Sequence, residues 1–183
     1  MDKTTTYLAL LRGINVGGHR PLKMDELRAM FSEMGFDRVS TYIQSGNVIF
    51  DSTGEDYVSL ANQIAAQINK TFGYELPVIV KNIPSVQEIR SGFPLEQKEG
   101  WKCYISFLAN KPMVEQAEKL ASLSGKVEEF KVLGEVVYSA VDKNSDQKPQ
   151  FSNAFVERKL GVPATTRNLR TVDKIIEMAS RQS

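Results

Sequence analysis

From residue 6 to 11 the chain reads Thr-Tyr-Leu-Ala-Leu-Leu, a short and nearly continuous apolar run that stops at Arg12-Gly13. A run of that length without alternation fits a central strand covered on both faces. Leu27, Met30, Phe31 and Met34 then recur at helical spacing, with Asp25 and Glu26 in the first turn, where the helix dipole favours acids. Gly35 reads as the left-handed residue closing that helix, with Phe36 packing back on Phe31. Residues 39–44 and 48–51 are rich in strand formers and flank Ser45-Gly46-Asn47, so they predict a hairpin. Tyr57, Leu60, Ala61, Ile64, Ile68 and Phe72 give a second amphipathic helix ending at Gly73. Residues 76–81 form another strand, and Pro77, which cannot donate to a ladder, puts it at a sheet edge.

The order over the first 82 residues is βαββαβ, the ferredoxin-like arrangement. A connector with one short helix near residues 85–90, bounded by Pro84 and Pro94, leads to a weaker second version of the plan. There, Trp101, Cys103, Ile105 and Phe107 alternate on one strand face; Val114, Ala117, Leu120 and Ala121 mark a helix; and residues 127–132 and 135–141 make a hairpin around Leu133-Gly134. Residues 151–160 predict a helix ending at Gly161, residues 164–167 a brief extended piece, and residues 171–179 a final helix. The fold class is therefore α+β, a ferredoxin-like unit over residues 1–82 followed by a connector and a degenerate second βαββα unit over residues 83–183 with an extra C-terminal helix. The two are expected to pack as one compact body.

Charge narrows the functional classes. The 23 Lys+Arg against 22 Asp+Glu leave a formal net charge of +1, far from the basic excess that releases counterions from a nucleic acid. The third strand, from Ser45-Gly46-Asn47 to Phe50-Asp51, also lacks the basic-glycine-aromatic start and stacked aromatics with which RNA-recognition domains of the same βαββαβ order read bases. Both observations argue against a nucleic-acid partner. A single cysteine, Cys103, permits no internal disulfide, and the lone His19 has no zinc-ligand spacing around it, so no metal and no cofactor are expected. The Met-Asp-Lys-Thr-Thr-Thr start has no hydrophobic signal core and no apolar run reaches about 18 residues, which predicts a cytoplasmic protein off the membrane.

Chemistry is concentrated in three loops. Arg12-Gly-Ile-Asn-Val-Gly-Gly18 is glycine-rich and basic, and it enters a helix, where backbone N–H groups and the dipole favour anions. Gly13 and Gly18 have the spacing of a phosphate-binding P-loop, but His19 and Arg20 stand where the lysine and the magnesium-binding hydroxyl belong, so a nucleotide triphosphatase is excluded. The dinucleotide-binding glycine interval also fails. A right-handed crossover places Ser45-Gly46-Asn47 at the same sheet end as this loop. Candidate ligand contacts are thus Arg12, Asn15, Gly17, Gly18, Ser45, Gly46 and Asn47; the alternative is that glycines and asparagines only shape and brace the turns. Arg167 and Asn168, in Thr165-Thr-Arg-Asn168 just before the last helix, form the third candidate, with a capping role as the alternative. Cys103 reads as a buried filler.

Tyr7 to Gly18, Thr41-Tyr-Ile-Gln-Ser-Gly-Asn47 and Thr165-Thr-Arg-Asn168 together resemble the bacterial domain-of-unknown-function family catalogued as 1697. The resemblance covers almost the whole chain and implies two ferredoxin-like pieces with no assigned activity or catalytic residue. His19-Arg20-Pro21 departs from the Lys-Asn-type continuation that such sequences often show after the glycines. Two functional classes follow: a protein binding a small anionic, phosphate- or carboxylate-bearing ligand, or a non-catalytic structural or protein-interaction module that pairs as a homodimer.

Overall fold

The computed structural model describes residues 4–53 and 56–182. Grouped by internal contacts, the chain forms two compact units, one made of Met1–Gln87 with Asp173–Ser183 and the other of Glu88–Val172.

The first unit runs β1 (Thr4–Leu11), α1 (Met24–Glu33), β2 (Asp37–Tyr42), β3 (Asn47–Thr53), α2 (Tyr57–Phe72) and β4 (Val78–Asn82). Its antiparallel sheet has the order β2-β3-β1-β4, so β1 is interior and β4 is the edge that Pro77 announced. Tyr7, Ala9 and Leu11 face a core shared with Leu27, Met30 and Phe31 of α1 and Leu60, Ile64 and Ile68 of α2. The alternate residues Leu8 and Leu10 are equally buried, which explains the unbroken apolar run. Helix α1 ends as its sequence predicts: Gly35 has φ +86°, Gly35 N donates to Ser32 O (3.0 Å), Phe36 N donates to Phe31 O (3.3 Å), and the two phenyl rings lie 5.8 Å apart.

The second unit contains the end of α3 (Ile83–Ser91), then β5 (Trp101–Leu108), α4 (Val114–Ser122), β6 (Glu128–Leu133), β7 (Val136–Asp142), α5 (Asn153–Leu160), β8 (Ala164–Asn168) and the start of α6 (Leu169–Gln182). The brief extended piece after Pro163 is β8, which takes the edge beside β5 in the order β6-β7-β5-β8. Leu108, Leu120, Phe130, Val137, Phe155 and Val156 make the core between this sheet and its helices.

Backbone bonds reveal a repeat that side chains conceal. Leu11 N donates to Gly46 O (2.9 Å) and Arg12 N to Pro77 O (3.2 Å); in the second unit Leu108 N donates to Glu135 O (2.9 Å) and Ala109 N to Pro163 O (2.9 Å). Tyr7 pairs with Asn82, and Tyr104 with Asn168. Each asparagine ends an edge strand and caps the helix that follows: Asn82 Oδ1 accepts from Ser85 N (2.8 Å), Asn168 Oδ1 from Thr171 N (2.9 Å). The repeat breaks at one connection. Residues 109–113 join β5 to α4, whereas residues 12–23 are needed to join β1 to α1. No helix among the described residues is long and apolar enough to cross a membrane.

Candidate ligand-binding loops

The longer connection is a small hairpin built out from the sheet end. Asn15 N donates to Arg20 O (3.2 Å) and His19 N to Val16 O (2.9 Å), while Gly17 and Gly18 have φ of +56° and +77°. Two successive positive φ values define a type I′ turn, which only small or asparagine-like residues adopt without strain. Ile14 and Leu22, both buried, root this hairpin in the first core. Tyr74 adds a tether by donating its hydroxyl to Pro21 O (3.0 Å).

Asn15 joins the loop to the β2–β3 hairpin. Its amide nitrogen donates to Leu22 O (2.9 Å) and to Gln44 O (2.8 Å), and its amide oxygen accepts from Leu22 N (2.8 Å). Asn47, fully buried, donates to Tyr42 O and to Ser45 Oγ, both at 3.0 Å, and so closes its own turn. Gly46 lies against β1: a Cβ built on it would stand 2.7 Å from Leu11 Cβ and 3.0 Å from Ile14 Cδ1. The two motif loops therefore meet, as the crossover argument requires. The asparagine side chains there hold backbone in place.

Around this junction lies a cleft of about 510 Å³ lined by Asn15, Pro21, Leu22, Lys23, Met24, Asp25, Glu26 and Gln44. It opens on the start of α1, whose N-cap Lys23 makes no capping bond, so first-turn N–H groups are left without a side-chain acceptor. Asp25 is engaged by Arg28, and Glu26 lies 3.8 Å from Lys23. Arg28 also donates to Thr41 Oγ1, tying this helix start to β2. Gly17, Gly18 and His19 are exposed at the hairpin tip, and Arg20 folds its guanidinium back so that Nη1 lies 3.6 Å from where a Gly13 Cβ would be. Arg12 is half-buried.

Arg167 and Asn168 belong to the second unit. Asn168 is the α6 cap: its Oδ1 accepts the hydrogen bond that Thr171 N donates. Arg167 donates to Thr166 O (2.9 Å), and burial of its guanidinium lowers its pKa to about 10. Cys103 is buried, and burial raises its thiol pKa, as befits a core filler. No grouping of three or more His, Cys, Asp or Glu side chains that could hold a metal occurs among the described residues.

Lys23, a cation at the end of the basic 12–23 stretch, and Gln44 line the cleft outside the set of candidate ligand contacts. Lys23 carries a weak signal, a cation at a helix start, but Gln44 becomes visible only through the Asn15 bond that brings its backbone to the loop.

A pair of four-stranded antiparallel sheets, each in the ferredoxin-like order, defines the class: an α+β protein built from two βαββαβ repeats. The chain belongs to the family described as "Protein of unknown function (DUF1697)", whose model matches residues 4–138. It is similar in structure to a conserved bacterial protein from Streptococcus pneumoniae, with a TM-score of 0.72 and 24% identity over 97% of this chain and 99% of that one, a likeness of fold. No curated protein matches the sequence.

Proposed function

We propose that the chain binds a small anionic ligand, phosphate- or carboxylate-bearing, in the cleft where the 12–23 loop meets the β2–β3 hairpin at the start of α1. The observation that carries this reading is the unequal repeat: the second unit joins the same strand to the same helix through residues 109–113, so closing the fold does not require the longer 12–23 loop. Uncapped N–H groups of α1 and the ammonium of Lys23 supply donors, and the field of a helix start favours negative charge. Each acid on the rim already has a cation beside it, which reduces its repulsion of a ligand. Asn15, Gly46 and Asn47 preorganise the cleft walls, so little ordering cost falls on binding.

Thermal-shift and calorimetric titration with inorganic phosphate, adenosine monophosphate, glucose 6-phosphate and butyrate tests the reading. Saturable binding of one of these, lost in Lys23→Glu and weakened in Arg12→Ala, is the expected outcome. If none binds, or if binding is indifferent to both changes, the reading is wrong.

A second reading, a non-catalytic and homodimeric interaction module, is favoured by two apolar side chains on the protruding turns, Val16 at 62% and Ile43 at 49% exposure. Light scattering that gives a monomer at every concentration would count against it.

A further inference from the structure

The repeat also builds one pocket twice. In each unit the first strand overhangs its edge partner by three residues. β4 pairs with Tyr7–Leu11 and leaves Thr4, Thr5 and Thr6 uncovered on that side; β8 pairs with Tyr104–Leu108 and leaves Trp101, Lys102 and Cys103 uncovered, with β7 on the other side. The edge strand stops because its terminal asparagine turns the chain into a helix. A cavity remains in the place the strand vacates, about 400 Å³ in the first unit and about 380 Å³ in the second.

The two cavities are furnished differently. The first is lined by three threonines, Asn82, Ile83, Pro84 and other neutral residues, and Pro84 has no N–H to offer. At the matching positions the second has Trp101 and Lys102 on the strand and Leu169 and Arg170 on the helix. Lys102 and Arg170 are exposed, and neither has an ion pair with an acid among the described residues. Lys98, 4.5 Å over the Trp101 ring, is by contrast bound to Glu129. The same fold geometry thus occurs once neutral and once with two cations and an indole, so the charge is not a requirement of the fold.

We infer that the cavity of the second unit is a docking site for the carboxyl terminus of an extended peptide, which adds as a short strand to Trp101–Cys103 and presents its terminal carboxylate to Arg170 and Lys102. On that edge Trp101 N–H already donates to Lys98 O (3.1 Å), so strand addition uses the Trp101 carbonyl and the Cys103 N–H. Direction follows from the register. β5 runs from Trp101 toward Tyr104, which faces Asn168 and the start of α6, so a peptide lying parallel to β5 brings its carboxyl end to Arg170. Guanidinium and ammonium groups complement that carboxylate. The cavity volume admits two or three residues, and Trp101 forms one wall.

Trp101 is the only tryptophan of the chain, so its fluorescence reports on this cavity alone. The full chain is titrated with the tripeptide Val-Thr-Val as free acid, with its carboxy-terminal amide, and with benzoate; the same titrations follow on Arg170→Glu, and hydrogen exchange is read at Cys103, whose N–H lies on the edge away from β7. The free acid is expected to change the emission saturably and slow exchange at the Cys103 amide. The amide, and the free acid on Arg170→Glu, should bind about tenfold or more weakly, the loss that one charge-assisted hydrogen bond represents. Arg170 is exposed, so a melting curve like that of the parent shows that the variant is folded. Equal binding of acid and amide, benzoate binding as tightly as the peptide, or no saturable response to the free acid would each overturn the inference.

Discussion

Replacing Gly46 by alanine separates bracing from any other role of the Ser45-Gly46-Asn47 turn. Gly46 has φ +81°, in the left-handed region, where an L residue costs about 1–2 kcal/mol. Its new methyl would stand 2.7 Å from Leu11 Cβ and 3.0 Å from Ile14 Cδ1. Leu11 is fixed in an interior strand and Ile14 is a buried anchor of the loop, so neither can withdraw freely. Overpacking of that kind adds about 1–3 kcal/mol. The sum is roughly 2–5 kcal/mol, a large part of the stability of a domain of this size. Gly18→Ala is the matched control, since Gly18 has φ +77° and nothing within 4 Å of its added Cβ. It should cost only the backbone strain, about 1–2 kcal/mol. Urea unfolding of both variants measures the difference. If Gly46→Ala is no less stable than Gly18→Ala, the close approach of the two loops is not what holds the turn, and the account of the junction fails.

Asn15→Ala removes three hydrogen bonds and leaves an alanine at φ +53°, so a loss of about 2–4 kcal/mol is expected, with faster hydrogen exchange at Leu22 in the same variant as the direct check. Tyr138 predicts a pH effect: burial raises its phenol above the ordinary 10.0, and its hydroxyl donates to Ile89 O at 3.0 Å. Because the folded value is the higher one, this contribution is complete below pH 10.0 and is lost as the pH rises through the raised value. Thermal unfolding across the alkaline range should therefore fall less steeply for Tyr138→Phe than for the parent, and identical slopes would remove Tyr138 as the cause.

Much of the architecture was written in local pattern. Helix α2 is found at Tyr57–Phe72, where a 3.6-residue apolar period and a glycine with positive φ coincide, and both of those signals are local. Residues 164–167 were harder to read as a full partner in a sheet, because a five-residue edge strand gains its identity from pairing with β5 and not from its own composition. Residue 38 shows the same limit. Arg38 takes φ +46° where the β2–β3 register slips between Asp37 and Ser40, while its guanidinium pairs with the buried Asp51; a bulge of that kind answers to the partner strand. Among the candidate loops, topology was enough to place residues 12–18 beside residues 45–47, but whether Asn15 and Asn47 were to face a ligand or hold backbone depended on which acceptors lay within reach.

The sequence by itself determined the class of fold, since hydrophobic period, glycine placement and proline placement act within a few residues and point to the same elements at every step. It also determined that the 12–18 loop is basic and lacks the groups for phosphoryl transfer. Tertiary structure alone decided that the second unit repeats the first down to its main-chain bonds, because the equivalent hydrogen bonds at Leu11 and Leu108 involve atoms that no side-chain pattern records. It alone also decided that a strand overhang makes a pocket beside Trp101, because the overhang follows from pairing register, a property of two strands together.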